Sequence, residues 1–182
     1  RQQVSTYFRF VNQGERTDRF SNESLQKIRL YSSQFDYHYS LDKLMVEGGG
    51  KYSYVSNQNE LDFLASSGAD LVPDPARSNL FNYRENIFAG YASLSHQWTK
   101  WEAKAGLRTE TTLISSISDQ PAIENRNTRT SLFPTLYLMY HLAKDEQLAL
   151  SYGKRINRPN YNYLNPSKSY YNYFSYFQGD AN

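Results

Sequence analysis

The side chains best equipped for chemistry in this chain fall into three sets. One is a run of charges at every second position, Glu102, Lys104, Arg108 and Glu110, with Glu47 and Lys51 similarly placed in an earlier segment. The second is Arg155, Asn157, Arg158 and Pro159, two guanidinium groups beside a residue that cannot continue a hydrogen-bonded ladder. The third is a tail dense in rings: Tyr161, Tyr163, Tyr170, Tyr171, Tyr173, Phe174, Tyr176 and Phe177. No set forms a catalytic constellation. His38, His96 and His141 have no partner at metal-ligand spacing, no nucleophile elbow, phosphate loop or acid pair stands out, and the absence of Cys removes thiol chemistry. The reading is of a non-enzymatic protein with no catalytic residue, metal or cofactor. Its candidate ligand contacts are Arg155, Arg158, Tyr161, Tyr163, Tyr170, Tyr171, Tyr173 and Phe174. Two alternatives stand for each group. The arginines either hydrogen-bond neighbouring strand ends or form a positively charged surface for an anionic ligand or a phosphate; the rings either stack on sugars and other planar ligands or pack a long loop.

The elements that must position these groups are strands. From Trp101 to Glu110 the chain alternates, with Trp101, Ala103, Ala105 and Leu107 opposite Glu102, Lys104, Gly106, Arg108 and Glu110, and a two-residue period is that of a strand with one apolar face. The segment before it, Ile87 to Ser95, puts Ile87, Ala89 and Tyr91 on one face and Phe88, Gly90, Ala92 and Leu94 on the other, a less polar alternation, and pairs with it through a short connection flanked by Trp98 and Trp101. Tyr37 and Tyr39 share parity with Tyr31, Phe35 and Leu41; Val46 and Tyr52 lie opposite Glu47 and Lys51; Leu136 and Leu138 mark a later strand, and Leu148 and Leu150 the last. Gly48 to Gly50 fall in mid-strand, where glycine marks a bulge, a bend or a close backbone approach. Loops are expected at residues 12–23, 57–82 and 112–130 and beyond 157, with tight turns between them. Long and short connections thus alternate around about seven strands of about ten residues, each able to cross about 25 Å at a tilt near 45°.

This rhythm predicts an all-β, antiparallel up-and-down meander forming part of a large transmembrane barrel. Tyr37, Tyr39, Val46, Tyr52, Ala105, Leu107, Leu136, Leu138, Leu148 and Leu150 are then lipid-facing, and Glu47, Lys51, Glu102, Lys104, Arg108 and Glu110 line the lumen. The alternative is a soluble all-β domain in which the apolar face meets a second sheet. Composition suits a barrel: a mean hydropathy of -0.76 alone would hint at disorder, yet 17 Tyr and 10 Phe argue against it, and a barrel reconciles the two because only every second strand residue touches lipid. A net charge of +2 from mixed rather than clustered charges gives no field for nucleic acid. No apolar run is long enough for a spanning helix. An odd strand number with unpaired ends, and a start at Arg1, read as a segment of a longer chain covering residues 1–182 of a partial barrel.

Specific residues add a resemblance. The segments SQFDYHYSL, KLMVEGGGKYS, SNLFNYRENIFAGYAS, WEAKAGLRTETT, SLFPTLYLMY, LALSYGKRINRPNYNYLNP and FQGDAN occur in an order that resembles the outer-membrane β-barrel family of TonB-dependent receptor-like proteins of the Bacteroidetes type. The sharpest pieces are Gly106 to Glu110 and Arg155 to Pro159, followed by Leu164, Asn165 and Pro166; the final Gly179, Asp180, Ala181, Asn182 departs from the family's usual Gly-Asn-Pro-Asn. The resemblance implies the cell outer membrane, contact with its lipid, a receptor or transporter that takes up an unknown small-molecule or glycan ligand, and coupling to a TonB complex through a plug and TonB-contacting box not in these residues. A structural or adhesive barrel without transport is the alternative.

Overall fold

The computed structural model describes residues 2–10, 16–67, 70–158, 161–172 and 175–180, and side chains from Phe20 onward except at 67, 162 and 170–172. In chain order the elements are β1 (Gln2–Phe10), β2 (Arg16–Leu41), β3 (Leu44–Ser67), β4 (Asp70–Pro73), β5 (Asn79–Gln97), β6 (Trp101–Ser118), β7 (Ile123–Ala143), β8 (Glu146–Gly153), a single helical turn α1 (Tyr161–Leu164), β9 (Ser169–Asn172) and β10 (Ser175–Phe177). Seven of them form one antiparallel meander in the order β1-β2-β3-β5-β6-β7-β8, with β4 added to the end of β3; β9 and β10 pair separately. No other described strand pairs with the free edges of β1 and β8.

The expected loops are the main correction. Residues 57–82 are mostly strand, since β3 runs to Ser67 and β5 begins at Asn79; residues 112–130 are strand except for the turn at 119–122; and β2 begins at Arg16 rather than after Glu23. The strands are therefore 18 to 26 residues long from β2 to β7, leaving out the short β4. The Ser, Asn and Thr of these stretches continue the ladder because antiparallel pairing satisfies every backbone group whatever the side chain. The register runs unbroken from Phe20↔Ala65 to Leu41↔Leu44 and from Leu44↔His96 to Leu61↔Asn79.

One rim has tight turns. Asp42, at a φ of 50°, makes the two-residue β2–β3 turn, a conformation that Asp tolerates. Gln97 N donates to Lys43 O at 3.0 Å and His141 N to Lys100 O at 2.9 Å, so adjacent turns are tied together. At the far rim the connection between β3 and β5 makes a detour. Asp74 organises it: Ala76 N donates to its Oδ1 at 3.0 Å, Ser78 Oγ to its carbonyl at 2.9 Å, and Arg77 lies 3.5 Å from its carboxylate.

The two sheet faces differ. The outer face carries Tyr37, Tyr39, Val46, Tyr52, Phe88, Leu94, Ala105, Leu107, Leu136, Leu138, Leu148 and Leu150 in register. Nothing among the described residues covers it: Leu107 is 51% exposed and Leu150 63%. The second sheet required by a soluble sandwich is absent from the described residues. On β5 the outward set is Phe88, Gly90, Ala92 and Leu94, so Ile87, Ala89 and Tyr91, the more obvious apolar set in the sequence, point inward. The buried apolar residues Phe20, Leu61, Phe63, Phe81, Tyr83, Ala89 and Phe133 all lie on the inner face. Gly49 resolves the triple glycine: the register is unshifted, excluding a bulge, and a Cβ there would strike Phe35 O and the Tyr91 ring. Glycine is needed for Tyr91 to lie across the strand.

Candidate functional site

The inner face carries two linked networks. Near the tight turns Glu47 accepts from Ser93 Oγ at 2.6 Å and from Lys104 Nζ, with His38 Nδ1 at 3.5 Å. These groups come from β2, β3, β5 and β6 because their register places them in neighbouring rows. Farther up, the Tyr91 hydroxyl donates to Asp36, which also accepts from Gln34 Nε2 at 2.8 Å, and the Arg108 guanidinium lies 5.7 Å from the Tyr91 ring centre. Arg108 Nη2 donates to Glu110 Oε2 at 3.0 Å.

Glu110 links this wall to the far end. It is 5% exposed, and its second oxygen accepts from Arg158 Nη2. Arg158 Nε also lies 3.7 Å from Glu85 Oε1, and its Nη2 is 3.5 Å from Thr112 Oγ1. Two guanidinium groups on one buried carboxylate satisfy a charge that would be costly alone. Arg158 therefore anchors the segment after β8 to the inner face of β5 and β6. The anchoring continues upward: Tyr161 packs on Phe81 and Tyr83, with ring centres 5.9 and 5.8 Å away. Burial raises the Tyr161 phenol pKa above its ordinary value; the Tyr83 phenol is also raised, first by burial and then by the charge of Glu85. Asn79 completes the attachment. Its Nδ2 donates to Ser167 Oγ at 2.7 Å, while its Oδ1 accepts from the amides of Asp119 and Gln120 at 3.1 and 2.8 Å.

Between this segment and the extended strands lies a cavity of about 330 Å³. Its floor is Thr112, Ile114 and Ser116 of β6 with Asn125, Asn127 and Arg129 of β7; its sides are Tyr83, Glu85, Ile156, Asn157, Arg158 and Leu164. Ser116 is 3% exposed, and its hydroxyl has no hydrogen-bond partner among the described residues. Amides, a hydroxyl and a guanidinium next to aliphatic side chains suit a small polar molecule rather than a lipid tail. Among the described residues no group of three or more His, Cys, Asp or Glu stands at metal-binding distance.

The sequence-derived candidates divide. Arg158 and Tyr161 anchor the segment, and Arg158 also borders the cavity. Arg155 is exposed and lies outside the cavity lining. Tyr163 packs its ring 6.0 Å from Phe177 and is 62% exposed. Tyr173 and Phe174 lie outside the described residues, as do the side chains of Tyr170 and Tyr171. Lys51 and Glu102 share the inner face with Glu47, Lys104, Arg108 and Glu110. Sequence reasoning missed Asn79, Tyr83, Glu85 and Ser116. The signal for the first three was the parity of Asn79, Phe81, Tyr83 and Glu85, which continues the alternation of β5.

An antiparallel meander with an uncovered apolar outer face and a charged inner face defines a class, the wall of a transmembrane β-barrel. No described helix is long and apolar enough to cross a membrane. The chain belongs to the outer membrane protein beta-barrel family, whose sequence pattern matches residues 1–182, and it is a protein of the outer membrane. Among solved structures it is similar to the ferric citrate transporter FecA in the unliganded form, with 16% identity and a TM-score of 0.48 over 80% of this chain. The chain spans 22% of that transporter's length. No curated protein sequence matches it.

Proposed function

We propose that the chain is part of the wall of an outer-membrane receptor that binds a ligand at the cell surface and takes it up. The observation that carries this reading is the inner-face cavity bordered by Arg158, Asn125, Asn127 and Asn157, at the end of the sheet away from the tight turns. Barrels of this kind turn tightly on the periplasmic side and extend outside, so the cavity faces the medium. Among the described residues the outer edges of β1 and β8 have no partner strand, and a closed barrel pairs them, because an open edge in lipid leaves backbone groups unsatisfied. The outer-face residues from Tyr37 to Leu150 named above meet lipid, and Glu47, Lys51, Glu102, Lys104, Arg108 and Glu110 line the lumen. Coupling to TonB belongs to a plug and contact segment outside these residues.

Deleting residues 161–177 in the closed barrel tests the reading. Membrane insertion should persist, because the ladder ends at Gly153, while binding of glycans and small carboxylates to whole cells should fall. Unchanged binding would remove the cavity from the ligand site. It would favour the second reading, an adhesive barrel whose extended β2 to β7 present a rigid surface to a partner.

A further inference from the structure

The charges around the inner-face cavity do not cancel. Glu110 is held between Arg108, at 3.0 Å, and Arg158, and Glu85 lies 3.7 Å from Arg158 Nε. Both carboxylates are thus committed to guanidinium groups of β6 and of the segment after β8. Arg129 is the remaining charged residue of the cavity lining. It stands on the inner face of β7, opposite Thr112, and is exposed. Its guanidinium makes no ion pair or hydrogen bond among the described residues. Lys51, one row nearer the tight turns, lies on β3 outside the lining. Asn127 follows Arg129 on the same face, opposite Ile114, and its amide is likewise without a hydrogen bond among the described residues. Asn157 borders the cavity from the segment after β8.

We propose that the cavity takes a hydroxylated carboxylate of the uronic-acid class, and that Arg129 is the residue selecting for its negative charge. The inference rests on the receptor reading above and names the chemistry of the ligand. A guanidinium is a planar fork that holds a carboxylate with two parallel hydrogen bonds. With Glu85 and Glu110 already paired, the cavity presents one cation in excess, which matches a singly charged carboxylate better than a doubly charged phosphate ester. The amides of Asn127 and Asn157 each offer donors and an acceptor, the complement of hydroxyl groups that do both. Ile114, Ile156 and Leu164 supply apolar surface for the C–H face of a sugar ring. A cavity of about 330 Å³ is within the range of small-molecule sites.

The test measures, by calorimetry on the full-length barrel in lipid vesicles, the binding of galacturonic acid and of its methyl ester, which keeps every hydroxyl group and has no charge. The wild type should bind the acid on the order of 10-fold more tightly than the ester, one charged hydrogen-bonded pair discounted for exposure. Arg129→Gln should abolish that preference while leaving the affinity for the ester unchanged. Arg129→Lys should retain part of it, a pattern that misfolding does not produce. Equal affinities for acid and ester in the wild type, or a preference that survives Arg129→Gln, would overturn the proposal and leave the cavity as a ligand site. Binding of neither compound would also overturn it; the receptor reading is then judged separately, by the deletion of residues 161–177.

Discussion

The two ends of this sheet are built from the same long strands but are stabilised differently. Near the tight turns the outer face is apolar and uncovered, and the inner face holds paired charges such as Glu47 with Lys104. At the far end the outer face is polar, and the inner face buries Phe20, Phe63 and Phe81 beneath the detour before β5 and the segment after β8. In the proposed barrel, apolar surface is thus turned toward lipid in one half and toward protein in the other. The first half depends on its solvent; the second brings its own cover, which is why a shaped cavity is found there.

Substitutions can separate the halves. The largest effect is expected for Leu107→Arg, about 2 to 4 kcal/mol of folding stability in lipid vesicles if the position lies near the bilayer midplane, because the guanidinium would lack water. Lys104→Gln on the opposite face should cost less than about 1 kcal/mol, since its pair with Glu47 is partly solvated. Comparable losses at both positions, in urea titrations of the reconstituted barrel, would break the distinction between faces. At the far end Arg158→Ala should cost about 1 to 2 kcal/mol, a charged hydrogen bond discounted for exposure. It should also open residues 154–180 to protease while leaving insertion intact. Unaltered protease resistance would show that the ring contacts of Tyr161 suffice.

The smallest expected effect is that of pH. Burial raises the phenol pKa values of Tyr161 and Tyr83 above the ordinary value of 10.0. Packing of the segment is therefore fully stable below that value. It weakens as pH rises past it, because an undocked phenol ionises first and the released state gains the free energy of losing its proton. The protection of residues 161–172 against hydrogen exchange, taken relative to the base-catalysed rate of a free amide, should fall above about pH 10 while that of β6 near Leu107 is unchanged. Loss of protection at lower pH would assign the release to another group.

The same contrast explains what the sequence made legible. Alternation is readable from Trp101 to Leu107 and from Leu132 to Leu142, because an apolar outer face and a polar inner one impose opposite chemistry on successive residues. From Thr112 to Ser118 both faces are mixtures of Thr, Ser, Leu and Ile, so the period is still two but its hydropathy no longer alternates, and a strand looks like a loop. The inward turn of Tyr91 was hidden for another reason. It depends on Gly49 in β3, the strand before it in the meander, and on Asp36 in β2. Arg158 was legible as a group able to bond strand ends, but Glu110 and Glu85 as its partners required the fold.

The central claim is that successive residues of β6 alternate between lipid and water. Because the sequence has no Cys, single cysteines at positions 104, 105, 107 and 108 can each carry a fluorescent label without background. In the reconstituted barrel, a lipid-borne quencher should quench labels at 105 and 107, and a water-soluble quencher those at 104 and 108. Uniform quenching along the strand, or the opposite parity, would contradict the account.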